Sequence, residues 1–257
     1  MKPLKLICVI CAICVTIIAC NGKKGDGLQS FTIEGTLTNA TDKMLYIEEM
    51  TPDNGPQFID SIFCDAEGHF KYEGTMNYQT FYNLHSSQYD YIVLLPADGD
   101  VIELSGDANN LGNTYMVNGA SESQLLWQIQ NYINQSNITI QELAQRDSQN
   151  RNTLSEADYK KAHAVTDSLF LAERQTTYRM LLNFIDNNSG SLSTLYAIDA
   201  PFNQNMRVFY QENDFDIFEQ VLQGLDEKCP NNPHTQYYRT RVERARAQAA
   251  TQEIVIE

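Results

Sequence analysis

Two hydrophobic periods divide this sequence, and the point where one gives way to the other constrains the fold more than any other feature. From Phe31 to Val117, apolar residues recur at every second position in short runs. From Ser121 onward they recur at every third or fourth position. The first pattern suits strands with one buried face and the second suits helices with one buried stripe. The chain therefore reads as α+β: an N-terminal antiparallel β-sandwich or open barrel over residues 28–120, then a helical segment over 121–250 and a tail over 251–257.

The β half centres on Phe58 to Met76. Phe58, Asp60, Ile62 and Cys64 alternate with Ile59, Ser61 and Phe63 along one strand. Asp65-Ala66-Glu67-Gly68 follows as a turn, with Asp bonding its own backbone and Gly free to take positive φ. His69 to Thr75 returns with Phe70 and Tyr72 on one face, so the stretch is expected to form a hairpin. Shorter strands are expected at Phe31–Leu37, Met44–Met50, Thr80–Leu84, Tyr89–Leu95, Val101–Leu104 and Tyr115–Val117, with turns rich in Pro, Gly, Asp and Asn between them.

In the helical half, Ser121 with Gln124 fits a capping box, and Leu125, Ile129, Tyr132 and Ile133 share a face. The polar run at Gln135–Asn137 weakens that helix, and Ile140 and Leu143 resume it. A second capping box, Thr153 with Glu156, is expected to open the longest helix, with Ala162, Val165, Leu169 and Ala172 inward and Met180, Leu181, Phe184 and Ile185 closing it. Asn187-Asn188-Ser189-Gly190 stops it. Further helices are expected at Ser193–Asp199, at Asp214–Leu225 with Phe215, Phe218 and Leu222 inward, and from Pro233 with Tyr238, Val242, Ala245 and Ala249 on its buried face.

The N-terminus carries an address. Lys2 and Lys5 precede an apolar run, Leu6 to Ile18, that is too short to span a bilayer comfortably. It ends Ile17-Ile18-Ala19-Cys20 and passes into a polar, flexible stretch. This pattern resembles a bacterial lipoprotein signal, which implies a signal peptide over 1–19, cleavage between Ala19 and Cys20, acylation of Cys20 and a tether over 20–27. The expected location is the cell envelope, lipid-anchored to the inner or outer membrane and facing the periplasm, since two or more acyl chains anchor stably.

Charge narrows the partners. The net charge of −15 becomes −17 once Lys2 and Lys5 leave with the leader. Such a surface repels phosphate backbones, so no nucleic acid partner is expected. The expected partners are the membrane, through the lipid, and an envelope protein or small ligand. Cysteine usage is deceptive, because Cys8, Cys11 and Cys14 match C-x-x-C only inside the leader. Cys64 and Cys229 remain, and the sequence leaves open whether they form a disulfide or stay as two buried free thiols.

No catalytic, cofactor-binding or metal site emerges from the motifs. His69, His85, His163 and His234 have no ligand spacing. Asp98-Gly99-Asp100 with Glu103 and Asp107 lacks the full calcium-loop pattern and reads as a turn. Arg239, Arg241, Arg244 and Arg246 spread around their helix and read as salt bridges to an acidic body. Two aromatic sets are compatible with sugar or peptide binding as well as with packing: Tyr78, Phe81, Tyr82, Tyr89 and Tyr91 near the sheet edge, and Tyr237-Tyr238 on the last helix.

The order Phe31-Thr32-Ile33-Glu34-Gly35, Asp60-Ser61, Gly68 to Gly74, Leu95 to Ile102 and Val117-Asn118-Gly119 resembles the domain of unknown function 4369 over roughly residues 28–120. That family is common in Bacteroidota envelope lipoproteins, where a helical segment and a thioredoxin-like domain often follow. The resemblance implies that a thioredoxin-like domain would begin near Thr251, yet the sequence stops at Glu257 and has no C-x-x-C after the leader. The expectation is a non-enzymatic, membrane-anchored lipoprotein with a binding or scaffolding role. The alternative is an accessory component of a thioredoxin-like thiol–disulfide system acting with a separate partner.

Overall fold

Period-two patterning in the first half produces strands β1 (Gln29–Thr38), β2 (Met44–Thr51), β3 (Gly55–Phe63), β4 (His69–Met76), β5 (Phe81–Ser87), β6 (Asp90–Leu94), β7 (Val101–Asp107) and β8 (Met116–Asn118), with a single-turn helix α1 (Leu111–Thr114) before the last. The computed structural model describes residues 27–87, 90–203 and 205–256; Ala19, Cys20 and Tyr89, and the side chain of Ala249, lie outside what is described. The strands build two four-stranded sheets, ordered β4-β1-β7-β8 and β3-β2-β5-β6. All pairings are antiparallel except β1 with β7, which run parallel.

Alternation assigns the faces. Phe31, Ile33 and Leu37 of β1, Leu45 and Ile47 of β2, Tyr82 and Leu84 of β5, and Ile102 and Leu104 of β7 fill the space between the sheets. In the second sheet β5 and β6 are buried on both faces over part of their length, because Phe81, Val93 and, just past β6, Leu95 point the other way into a helical core. The helices are α2 (Ser121–Thr153), α3 (Glu156–Asn187), α4 (Ser193–Ile198), α5 (Phe215–Lys228) and α6 (Pro233–Ile256), with a small hairpin of β9 (Pro201–Asn203) and β10 (Met206–Arg207) after α4. The molecule is thus layered sheet on sheet on helices, and the second sheet serves both cores.

The joint between the layers is polar. β6 is an edge strand, and α2 covers it with side chains at positions 123, 127, 130 and 134, which share one helix face. Gln130 donates from Nε2 to the Val93 carbonyl at 2.9 Å and accepts from the Val93 N–H at 3.1 Å. Ser123 accepts from the Leu95 N–H at 3.0 Å. Trp127 donates to the Tyr115 carbonyl and Asn134 to the Gly112 carbonyl, each at 2.8 Å. The helix thereby acts as a fifth strand in hydrogen-bonding terms, satisfying backbone groups that burial would otherwise leave unpaired.

Several expectations change against this frame. Phe58 to Met76 is not a hairpin, since β3 and β4 lie at the edges of different sheets and the Asp65–Gly68 turn carries the chain from one to the other. The turn chemistry itself holds: Asp65 accepts from the backbone of Glu67 and His69, and Gly68 sits at φ +83°. Helix α2 runs unbroken through Gln135–Asn137, where Ser136 meets Thr177 of α3 at 3.0 Å. Neither expected capping box forms. Ala120 precedes α2 without a side-chain cap, and Ser155, not Thr153, caps α3 by accepting from the Asp158 N–H. On α3 the expected stripe faces outward, with Val165 60% and Leu169 43% exposed, while Thr166 and Thr177 lie inward against α2.

The α2 joint yields a stability prediction. Gln130→Leu is expected to leave two buried backbone groups unpaired and to cost about 2–4 kcal/mol in urea unfolding, whereas Ser123→Ala, which orphans one donor, costs about 1–2 kcal/mol. Equal and negligible losses from both would show that the edge of β6 does not depend on α2.

Candidate functional site

Register on the outer face of the second sheet lines up side chains that the sequence separates. One cross-strand row runs Ser61, Tyr46, His85 and Tyr91; the next runs Phe58, Glu48, Asn83 and Val93. The helical layer covers only part of this face. Where the cover stops, α4 and α6 stand over the sheet and enclose an open cleft of about 730 Å³. Its floor includes Glu48, Asn83, His85 and Tyr91, and its opposite wall includes Tyr196, Asp199, Tyr237 and Arg241. Tyr91 is 49% and Tyr237 52% exposed, one on each side.

The polar groups of the cleft are held in place. Asn83 donates to Glu48 at 3.4 Å, and His85 Nε2 lies 3.6 Å from Glu48 Oε1 with its ring 5.6 Å from that of Tyr46. His85 Nδ1 is buried with no hydrogen-bond partner. Arg241 pairs with Asp199 at 2.7 Å and lies over the rings of Phe218 and Tyr238 at 5.3 and 5.7 Å. Burial works against the Arg241 charge, yet the hydrogen bond and charge of Asp199 prevail and hold its pKa above the ordinary arginine value. Asp199 also pairs with Arg207 at 3.2 Å.

Behind the cleft, His234 fixes the joint between α6 and the sheet. Its Nε2 is 2.8 Å from Thr80 Oγ1, and Thr80 gives its own proton to the Met50 carbonyl. Thr80 therefore accepts from Nε2–H, which selects the neutral tautomer with Nδ1 unprotonated. Burial lowers the His234 pKa to about 4. Asn232 reinforces the joint, accepting from the His234 N–H and donating to the Gln79 carbonyl at 2.8 Å.

The aromatic sets named from sequence divide. Phe81, Tyr91, Tyr237 and Tyr238 converge on the cleft; Tyr82 points into the sandwich core, and Tyr78 packs edge-on to His234 at 6.2 Å. Three of the four arginines form the expected salt bridges: Arg239 with Asp226, Arg241 with Asp199 and Arg246 with Glu219. Asp98 and Asp100 accept from the backbone of Ser30 and Ala97, which is turn chemistry. Asp65, Glu67 and His69 bring ligand atoms within 4.8 Å of one another, but all three are exposed and Asp65 is already engaged by the turn. His163 belongs to the α2–α3 hairpin, 2.8 Å from Asp147.

Both described cysteines are free, so the disulfide left open by the sequence is not formed. Cys64 lies in the sandwich core and Cys229 packs against the helical core beside Thr235. Burial pushes the pKa of each thiol above the ordinary value, with nearby acids adding to it. Sequence reasoning singled out none of Glu48, Asn83, Asp199 or Tyr196 as a site residue together with the tyrosines. The one signal available was the density of tyrosine.

Comparison with known proteins agrees with the strand-half assignment. Residues 31–126 match the family model described as "Domain of unknown function (DUF4369)". The match reaches Leu126, so it includes Ser123 and the first turns of α2. No curated protein matches significantly. Among solved structures, a crystal structure of (S)-allantoin synthase aligns at a TM-score of 0.26 and 12% identity, covering 37% of this chain and 45% of that one. A likeness that weak carries no argument about fold or activity.

Two measurements check this site chemistry. The ordinary His234 pKa of 6.5 falls to about 4 in the folded state, so between those values the unfolded chain binds a proton that the folded chain refuses. Stability from this group is complete above pH 6.5 and declines as pH falls toward 4, by at most about 3 kcal/mol. His234→Gln, which keeps a donor for Thr80, is expected to flatten that decline in urea titrations across the same range; an unchanged slope would remove His234 as its source. For the thiols, Ellman's reagent is expected to label Cys64 and Cys229 slowly in the native protein and rapidly in urea. Fast native labelling of either would contradict their burial.

Proposed function

We propose that this protein is a lipid-anchored envelope lipoprotein that binds a ligand and does no chemistry on it. The observation that carries the binding role is the cleft between the second sheet and α4/α6, with exposed tyrosines on both sides and Glu48, Asn83 and His85 in its floor. Its volume falls within the range of about 300–1,000 Å³ usual for small-ligand sites. The anchoring role rests on Ile17-Ile18-Ala19-Cys20 and the polar tether after it. Among the described residues no helix is long and apolar enough to cross a membrane. The alternative of a partner in thiol–disulfide exchange draws on the family resemblance, and the raised pKa values of Cys64 and Cys229 count against either thiol as nucleophile.

Each half of the reading has its own test. Cys20→Ala is expected to shift the protein from the detergent phase to the aqueous phase on phase partition, and unchanged partitioning would contradict lipid anchoring through Cys20. Amide chemical shifts followed during addition of oligosaccharide, peptide and metabolite mixtures are expected to move at Tyr91, His85 and Tyr237. A binder that shifts residues elsewhere and spares all three would contradict the cleft as the binding site.

A further inference from the structure

We propose that the ligand of this cleft is a short, neutral oligosaccharide. The inference rests on the cleft being the binding site and adds the chemical class that its residues select.

Charge comes first. Arg241 is the cation in the cleft wall, and it is committed to Asp199 and to two aromatic rings. Asp199 in turn is met by Arg207 as well. Among the described residues Arg241 is the one Lys or Arg of the lining, it is already paired with Asp199, and Glu48 in the floor repels a phosphate or carboxylate. The net charge of −15 works in the same direction at longer range. An anionic ligand is therefore disfavoured at the wall, at the floor and on approach.

Strand addition by a peptide is disfavoured for a different reason. An extended peptide that binds by strand addition needs a free sheet edge. Of the two edges of this sheet, β6 already has its Val93 and Leu95 backbone groups bonded by Gln130 and Ser123. The other edge, β3, carries Pro56, which has no N–H, and a register shift in its pairing with β2. Its Ser61 N–H is taken by the Asp60 carboxylate at 2.7 Å. These features blunt an edge against strand addition.

What the cleft offers instead matches a sugar. The C–H face of a pyranose ring is weakly electropositive and lies well on the negative face of an aromatic ring. Tyr91 provides such a face beside His85 on the sheet side, and Tyr237 provides another across the gap. Planar polar groups that hydroxyl pairs can bridge stand next to them: the Glu48 carboxylate and the Asn83 amide.

The test uses the full-length protein in detergent on an array of neutral oligosaccharides (glucans, mannans, xylans and N-acetylglucosamine oligomers), uronate oligosaccharides and peptides, with spermidine titrated separately. Retention of a neutral oligosaccharide is expected, weakened about tenfold by Tyr91→Ala and by Tyr237→Ala, with Leu171→Ala on the far hairpin as an unaffected control. Both tyrosines are exposed, and thermal melts confirm that each variant stays folded. Binding of peptide, uronate or spermidine that is lost in the tyrosine variants, with no neutral sugar retained, would overturn the sugar class and leave the cleft reading standing. Binding of any probe that is indifferent to both tyrosine variants would overturn the two together.

Discussion

The two hydrogen bonds between the Gln130 amide and the backbone of Val93 hold this structure's layers in register. A sandwich needs covered edges, and a helical bundle needs a surface to pack on. Both needs are met at β6, where one face enters the sandwich core, the other enters the helical core, and the edge bonds to α2. Because the amide presents an N–H donor and a carbonyl acceptor side by side, it fits one residue's N–H and C=O and fixes both the height and the rotation of the helix. Once α2 is set, α3 follows it as a hairpin, and α4 and α6 are carried to their position above the sheet.

The consequence for the two halves is interdependence. Sequence patterning marks the change of period at Gly119 as a natural boundary, and the strands of the sandwich do end there. Energetically the boundary is less sharp. Phe81, Val93 and Leu95 of the strand half have their burial only in the helical core, and Ser123 and Gln130 have their partners only in the strand half. The family match ending at Leu126 is consistent with this, since it retains the first turns of the capping helix.

Period reveals which residues share a face but not what that face meets, and the sequence reading succeeds and fails along that line. All eight strands of the sandwich were legible from alternation. The partition of β3 and β4 between sheets was not, because a tight turn chemistry at Asp65–Gly68 serves a sheet-to-sheet corner as well as a hairpin. The α3 stripe misled because Val165 and Leu169 have helical spacing without a neighbour, while Thr166 and Thr177 meet the equally polar Ser136 side of α2. The stripe of Ser123, Trp127, Gln130 and Asn134 was invisible to a search for apolar residues, though its spacing is as regular as any. The cleft depends on register across four strands and on the docking of α6, which no local pattern encodes.

His234 shows how that docking bears on the cleft. A neutral imidazole given to Thr80 is a good joint in the folded state and a poor place for a proton, since burial leaves no counter-charge beside it. The same side chain lies edge-on to Phe81 at 5.1 Å and borders the cleft, three residues before Tyr237 on α6. Loosening this contact by acid would therefore act first on the wall that carries Tyr237 and Arg241, while the sandwich, joined to α2 through uncharged groups, has no such dependence. The helix that shapes the cleft is thus secured by a contact sensitive to protonation, and the bonds of Ser123 and Gln130 that join α2 to the sandwich are not.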